Sequence, residues 1–79
     1  MLETYLAING NEIRYLGNGL KVKEFVDKGY YIYSESPIDG HQELVYDQNT
    51  EKYLKPVYIM YADGTVKVVA DPEHGWIGV

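Results

Sequence analysis

The side chains that most often carry catalysis are scarce in this chain and stand far apart. There is no cysteine, and neither His41 nor His74 lies in a spacing such as HxxxH that would let two imidazoles bind one metal ion. Ser34 and Ser36 flank Glu35, and neither has the sequence context of a nucleophile elbow. The sequence therefore predicts no catalytic, cofactor-binding or metal-binding residue, and we expect no enzymatic activity and no cofactor.

Binding of phosphate or nucleic acid is disfavoured by the charge pattern. The formal net charge is −5, and Arg14 is the single arginine. The glycines at positions 17 and 19 are not followed by a basic residue at P-loop spacing, and the lysines are scattered. Because neutralising phosphates requires a basic surface, we predict no direct binding of nucleic acid.

The charge excess lies in one central, tyrosine-bearing segment. Residues 29–51 contain five carboxylates and no lysine or arginine, whereas acids and bases cancel within residues 1–28 and within residues 52–79. Acidic groups steer association with basic partners, and tyrosines supply contact area at interfaces. The predicted partner-binding residues are Tyr31, Tyr33, Glu35, Asp39, Glu43 and Asp47.

The expected strand pairing strengthens this hypothesis. A hairpin loop centred on Asp39 would place Glu35 directly opposite Glu43. Like charges that face each other across a ladder are destabilising, by about 0.2–1 kcal/mol. The presence of such a destabilising pair indicates that the acidic surface has a function, namely binding of a basic partner. The alternative interpretation is that the carboxylates only keep a small protein in solution.

We therefore expect a small acidic cytoplasmic protein that binds, and thereby inhibits, a protein with a basic surface such as a nucleic-acid-binding enzyme. In size, charge and expected mode of action it resembles the DNA-mimicking inhibitors of phages and mobile elements, which include anti-CRISPR proteins and inhibitors of uracil-DNA glycosylase. No motif matches one of those families residue by residue, so no functional residue is carried over from them.

Two other functions are compatible with the sequence. The chain is then either a structural or self-associating β protein, whose exposed strand edge pairs with a second copy in a homodimer, or a module that binds a small ligand on a tyrosine-lined sheet face. The cytoplasmic location is expected from the lack of cysteine and of a signal-peptide pattern. No membrane association is expected, because the longest apolar run, Val57 to Ala62, is far shorter than the ~20 residues of a membrane span.

The elements that must position these residues are predicted to form a single domain over residues 1–79. Polarity alternates on either side of Asn9 and Gly10, which predicts an N-terminal hairpin with a type I′ turn. With Ile8 opposite Asn11, one face of this hairpin is apolar and the other is polar. Residues 20–28 show helical spacing of apolar residues before Gly29, which predicts a short helix.

A meander of four strands is predicted after the helix, at residues 30–35, 43–47, 53–61 and 65–70. Pro56 marks an edge or a bulge in the third strand, and Met60 is expected opposite Val66. Trp76 is expected to bring the tail back onto the sheet. The predicted fold class is α+β, mainly antiparallel sheet. The fallback, if residues 20–28 form a strand, is an all-β, barrel-like fold.

Overall fold

The computed structural model describes residues 3–78, which form two antiparallel sheets and one short α-helix. The larger sheet has five strands in the order β2-β1-β3-β4-β5, and the smaller sheet has three in the order β6-β7-β8. This arrangement confirms the α+β, mainly antiparallel fold. The strands are β1 Thr4–Asn9, β2 Glu12–Gly17, β3 Tyr31–Glu35, β4 Gln42–Asp47, β5 Lys52–Tyr53, β6 Val57–Met60, β7 Val66–Asp71 and β8 Gly75–Trp76.

The N-terminal hairpin forms as predicted, but its predicted register is wrong. Asn9 pairs with Glu12 and Ile8 with Ile13, so Gly10 and Asn11 make the loop. Gly10 takes the positive φ of 59° and Asn11 does not, which is the pattern of a type II′ turn. Asn9 therefore stays in β1, and the partners of Ile8, Ala7 and Leu6 move by two residues. A bulge then pairs Tyr5 with Gly17.

The segment after β2 is helical, which confirms the helix over the strand alternative. A turn of 3-10 helix, Gly19–Lys21, leads directly into α1, Val22–Asp27. The Asn18 side chain accepts a 2.9 Å hydrogen bond from the amide of Leu20 and so caps the start. Ion pairs Lys23–Asp27 at 2.7 Å and Lys28–Glu24 at 3.1 Å follow the outer surface of the helix.

The meander differs from the prediction in two places. β3 pairs with β1 as well as with β4, so the N-terminal hairpin continues into the larger sheet. The predicted long strand at 53–61 is divided into β5 and β6, which belong to different sheets. Pro56 lies between them, where its missing N–H interrupts the ladder.

The C-terminal hairpin has the predicted pairing near its turn. Met60 faces Val66 and Tyr58 faces Val68, while a bulge shifts Val57 to Ala70. Trp76 lies in β8 and pairs with Ala70, so the tail does return to the smaller sheet.

The core lies on one side of the larger sheet. Tyr5, Ala7 and Ile32 from that sheet join Val22 of α1 and Val57 of β6 in one buried cluster. The Cα atoms extend 35 × 29 × 17 Å, and the shortest dimension fits two packed layers about 10 Å apart but not three. The second face of the larger sheet therefore has no described element over it.

Candidate functional site: the uncovered face of the five-stranded sheet

Apolar side chains occupy the face of the larger sheet that points away from the core, here called the open face. The strand registers bring them together across four strands, and none belongs to the buried core cluster or packs against it. The open face consists of Leu6, Ile8, Ile13, Tyr15, Tyr31, Tyr33 and Leu44.

Leu6 shows how closely these side chains pack. It is 1% exposed and yet lies outside the core cluster. Its direct cross-strand neighbours are Tyr15 on β2 and Tyr33 on β3. Because directly opposed side chains stand about 4.5–5.5 Å apart at Cβ, these two rings flank Leu6. The open face thus has a small packed centre of its own.

The rim of the open face is strongly exposed. Ile13 is 56% and Tyr15 is 73% accessible, whereas Tyr31, Tyr33 and Leu44 are half-buried. Single exposed apolar residues are ordinary on protein surfaces, but a contiguous set across four strands is typical of an interaction surface.

Glu35 extends the open face at the end of β3. It follows Tyr31 and Tyr33 at the two-residue period of a strand, so all three predicted residues share this face. Its carboxylate accepts a 2.9 Å hydrogen bond from the amide nitrogen of Gln42, its cross-strand partner. Three of the six predicted residues are therefore brought together.

Glu43 lies on the other side of the sheet. The predicted pairing of Glu35 with Glu43 is wrong, because Glu35 faces Gln42 and Glu43 faces Ser34. The carboxylate of Glu43 accepts a 2.7 Å hydrogen bond from Lys55, and this bond lowers the pKa of Glu43 below its ordinary value. This one-residue difference in strand register removes the like-charge contact between Glu35 and Glu43 that the sequence suggested.

Asp39 and Asp47 stabilise turns. The Asp39 carboxylate accepts a 2.9 Å hydrogen bond from the amide of His41, and this bond lowers the pKa of Asp39. Asp47 accepts a 2.8 Å bond from the amide of Asn49, and it faces Lys52 across the β4–β5 ladder. Both carboxylates are acidic groups of the segment 29–51 and contribute to the negative field around the molecule.

Several residues of the open face were missed by the sequence reasoning. Leu6, Ile8, Ile13 and Tyr15 lie on the side of the N-terminal hairpin that is apolar in the sequence, and an apolar side normally faces the core. The structure places the opposite side, with Tyr5 and Ala7, in the core. The hairpin sequence contains no signal for this choice, because Glu12 and Arg14 also lie on the core side and reach water only because β2 is the outermost strand.

A cleft of about 320 Å³ lies on the core side of the larger sheet, near β6. Lys55 at this cleft is engaged by Glu43, and the Ser34 hydroxyl is buried without a hydrogen-bond partner among residues 3–78. The cleft is lined by Glu3, Tyr5, Ser34, Val45, Lys55, Pro56 and Tyr58. Within the part of the chain that the structure describes, no three histidine or acidic side chains come close enough to hold a metal ion.

Comparison with protein-family models, with curated proteins and with solved structures finds no match for this chain. A search of the described residues for a helix of sufficient length and apolarity to cross a membrane also finds none.

Proposed function

We propose that this protein is a non-catalytic binding module that uses the open face to hold a protein partner whose surface combines basic and apolar side chains. The observation that carries this proposal is a contiguous set of aromatic and aliphatic side chains outside the core. Glu35 stands at one end of this set, and the side chains that β1 to β4 direct to the open face include no lysine or arginine.

The chemistry of the open face favours a protein partner. Tyr31 and Tyr33 are half-buried, so their rings are held in place while one side stays accessible. Rigid aromatic side chains of this kind bind at a low cost in conformational entropy and are enriched in interface hot spots. Leu6 beneath them is already dry, which favours tight packing at the centre of a contact.

The acidic character of the chain determines the sign of the charge expected on the partner's surface. With a net charge of −5, the molecule attracts basic surfaces at long range. Glu35 makes the charged contact, while Asp39, Glu43 and Asp47 contribute to steering. If the basic surface of the partner is a nucleic-acid groove in the cytoplasm, occupation by this protein excludes the nucleic acid. In its more specific form, the proposal is that this protein inhibits a nucleic-acid-binding enzyme by mimicking DNA, as the DNA-mimicking inhibitors of phages do.

A pair of designed peptides tests the proposal directly. The first alternates arginine and tryptophan along a short extended strand, and the second replaces each arginine with glutamate. In ¹H–¹⁵N NMR titrations, we expect the first peptide to shift the amide signals of Leu6, Tyr15 and Tyr33, and the second to leave them in place. Equal responses to both peptides, or shifts confined to β6–β8, would overturn the proposal.

Charge reversal separates the open face from the acidic segment as a whole. Glu35→Lys is expected to weaken binding of the arginine peptide, whereas Glu43→Lys acts on the far side of the sheet and has little effect. Tyr33→Ser is expected to weaken binding, and its matched control is Tyr61→Ser, because Tyr61 is exposed beyond the end of β6. If Glu43→Lys and Glu35→Lys weaken binding equally, the segment as a whole binds and the open face is not the site.

A further inference from the structure

A second surface stands out at the edge of the larger sheet, where β2 is the outermost strand. Every residue of β2 except Leu16 is exposed, and the outer side of β2 has no strand beside it among residues 3–78. A free strand edge is a template for pairing with another strand. We propose that β2 pairs with β2 of a second copy of this chain, in an antiparallel ladder centred on Ile13. This inference does not depend on the proposed function of the open face.

The hairpin geometry determines which amides point outward. In a hairpin with a two-residue loop, the pair that flanks the loop exchanges backbone hydrogen bonds, and here that pair is Asn9 and Glu12. Hydrogen-bonded and non-hydrogen-bonded pairs then alternate along the ladder. The N–H and C=O groups of Glu12 and Arg14 therefore turn toward β1, whereas those of Ile13 and Tyr15 point outward to a new strand.

The charges of β2 select one register for this pairing. In a two-fold ladder centred on Ile13, Ile13 faces Ile13 of the other copy, and Glu12 of each copy faces Arg14 of the other. A ladder centred on Glu12 would place two carboxylates opposite each other, and one centred on Arg14 would place two guanidinium groups opposite each other. The register centred on Tyr15 forms no ion pair. Charge complementarity thus favours the ladder centred on Ile13.

Both charged side chains are exposed to solvent at the edge of β2. Glu12 and Arg14 are 57% and 58% accessible, and the 3.8 Å between them is a long, weak contact within one copy. Glu12 also accepts a hydrogen bond from the hydroxyl of Tyr30, which holds its carboxylate at the rim of the sheet. In the dimer, Arg14 of the second copy would approach this fixed carboxylate.

The dimer would also enlarge the open face. Directly opposed residues of an antiparallel ladder lie on the same side of the sheet, so the two exposed Ile13 side chains would meet and lose water. The two open faces would then become one surface across ten strands, which follows from two five-stranded sheets joined at β2.

The test uses charge-swapped variants and sedimentation from micromolar to millimolar concentration. We expect the wild-type chain to dimerise, and Glu12→Arg and Arg14→Glu each to weaken the dimer by about tenfold or more. In an equimolar mixture of the two variants every facing pair is again of opposite sign, so a heterodimer should form. The double variant E12R/R14E should dimerise like the wild type.

Amide hydrogen exchange identifies the interface. The Ile13 and Tyr15 amides should become more slowly exchanging as the protein concentration rises, while those of Glu12 and Arg14 are already protected by β1. Because Glu12 accepts a hydrogen bond from Tyr30, the folding of Glu12→Arg is checked by circular dichroism. Ile13→Pro provides a second variant, which should weaken the dimer because it removes an outward N–H. A wild-type chain that stays monomeric at millimolar concentration, or a dimer that leaves the Ile13 and Tyr15 amides unprotected, would overturn the proposal.

Discussion

The hydroxyl of Tyr5, on β1, accepts a 3.1 Å hydrogen bond from the backbone N–H of Tyr58, on β6. β6 is an edge strand of the smaller sheet, so an amide on its outer side has no ladder partner within that sheet. A side chain of the larger sheet supplies that partner and joins the two sheets. Tyr5 is 4% exposed, and burial of its hydroxyl raises its pKa above the ordinary value.

Replacing Tyr5 with Phe should destabilise the fold. The variant keeps the aromatic packing but leaves the partly buried amide of Tyr58 without its acceptor, which costs about 1–3 kcal/mol. The measurement is the free energy of unfolding in urea. Tyr15→Phe is the matched control. The hydroxyl of Tyr15 is exposed to water in the folded and unfolded states alike, so its removal should change stability by less than about 0.5 kcal/mol. Equal stabilities of the two variants would contradict the role given to Tyr5.

Gly19 should tolerate no side chain. A Cβ atom at this position would lie 2.5 Å from the carbonyl oxygen of Tyr58 and 2.5 Å from a methyl carbon of Val57. Since the Tyr58 carbonyl lies between buried Val57 and Ile59 and cannot move aside cheaply, we expect Gly19→Ala to cost about 1–3 kcal/mol of unfolding free energy. Leu20→Ala, at the exposed neighbouring position, is the control and should cost far less. A Gly19→Ala variant as stable as the wild type would show that the 3-10 turn at Gly19 and strand β6 are not in close contact.

Local signals predicted the elements, and the misses concern strand pairing: the registers of the β1–β2 and β3–β4 hairpins and the long-range pairing of β3 with β1. The helix follows from apolar spacing before Gly29, and the pairing of Met60 with Val66 follows from the Asp63-Gly64 turn, where Gly64 has a φ of 91°. The pairing of β3 with β1 has no local signal in the sequence, because β2 and α1 lie between the two strands along the chain. Only the tertiary packing determines that pairing.

A shift of one residue explains why the candidate site differs from the predicted one. The β3–β4 loop is closed by hydrogen bonds of 2.9 Å from Gly40 to Ser36 and 2.8 Å from Ser36 to His41, so Glu35 pairs with Gln42. Because side chains alternate between the two faces, this slip moves Glu43 away from Glu35. Period two still places Tyr31, Tyr33 and Glu35 on one face. Which face is buried depends on where α1 and the smaller sheet pack, and no residue pattern in β1 or β3 encodes that.

The Glu43–Lys55 ion pair should make stability depend on acid pH. Lys55 lowers the pKa of Glu43 below its ordinary value of 4.5. A carboxyl group whose pKa is lower in the folded state stabilises that state above its unfolded pKa, and this contribution is lost as the pH falls through the folded pKa. We expect the urea midpoint of unfolding to fall as the pH is lowered below 4.5, and Lys55→Met to reduce that dependence. Lys67→Met, at an exposed position of β7, should leave this pH dependence unchanged. Identical pH profiles for the two variants would argue against the pair.

Removal of the Tyr53 hydroxyl should not destabilise the fold, in contrast to removal of the Tyr5 hydroxyl. Its ring packs edge-on against Tyr46 with centroids 4.7 Å apart, and its buried hydroxyl has no hydrogen-bond partner among the described residues. Burial raises the pKa of Tyr53 by disfavouring the ionised form, so no stability is lost at this group below the ordinary value of 10.0. Above it the unfolded chain ionises first, and stability falls as the pH rises through the folded pKa. Tyr53→Phe removes an unpaired polar atom together with this alkaline ionisation. We therefore expect unchanged or higher stability at neutral pH and unfolding at a higher pH than the wild type, followed by circular dichroism and by tyrosinate absorbance. A marked loss of stability in Tyr53→Phe at neutral pH would show that the hydroxyl has a partner in solution.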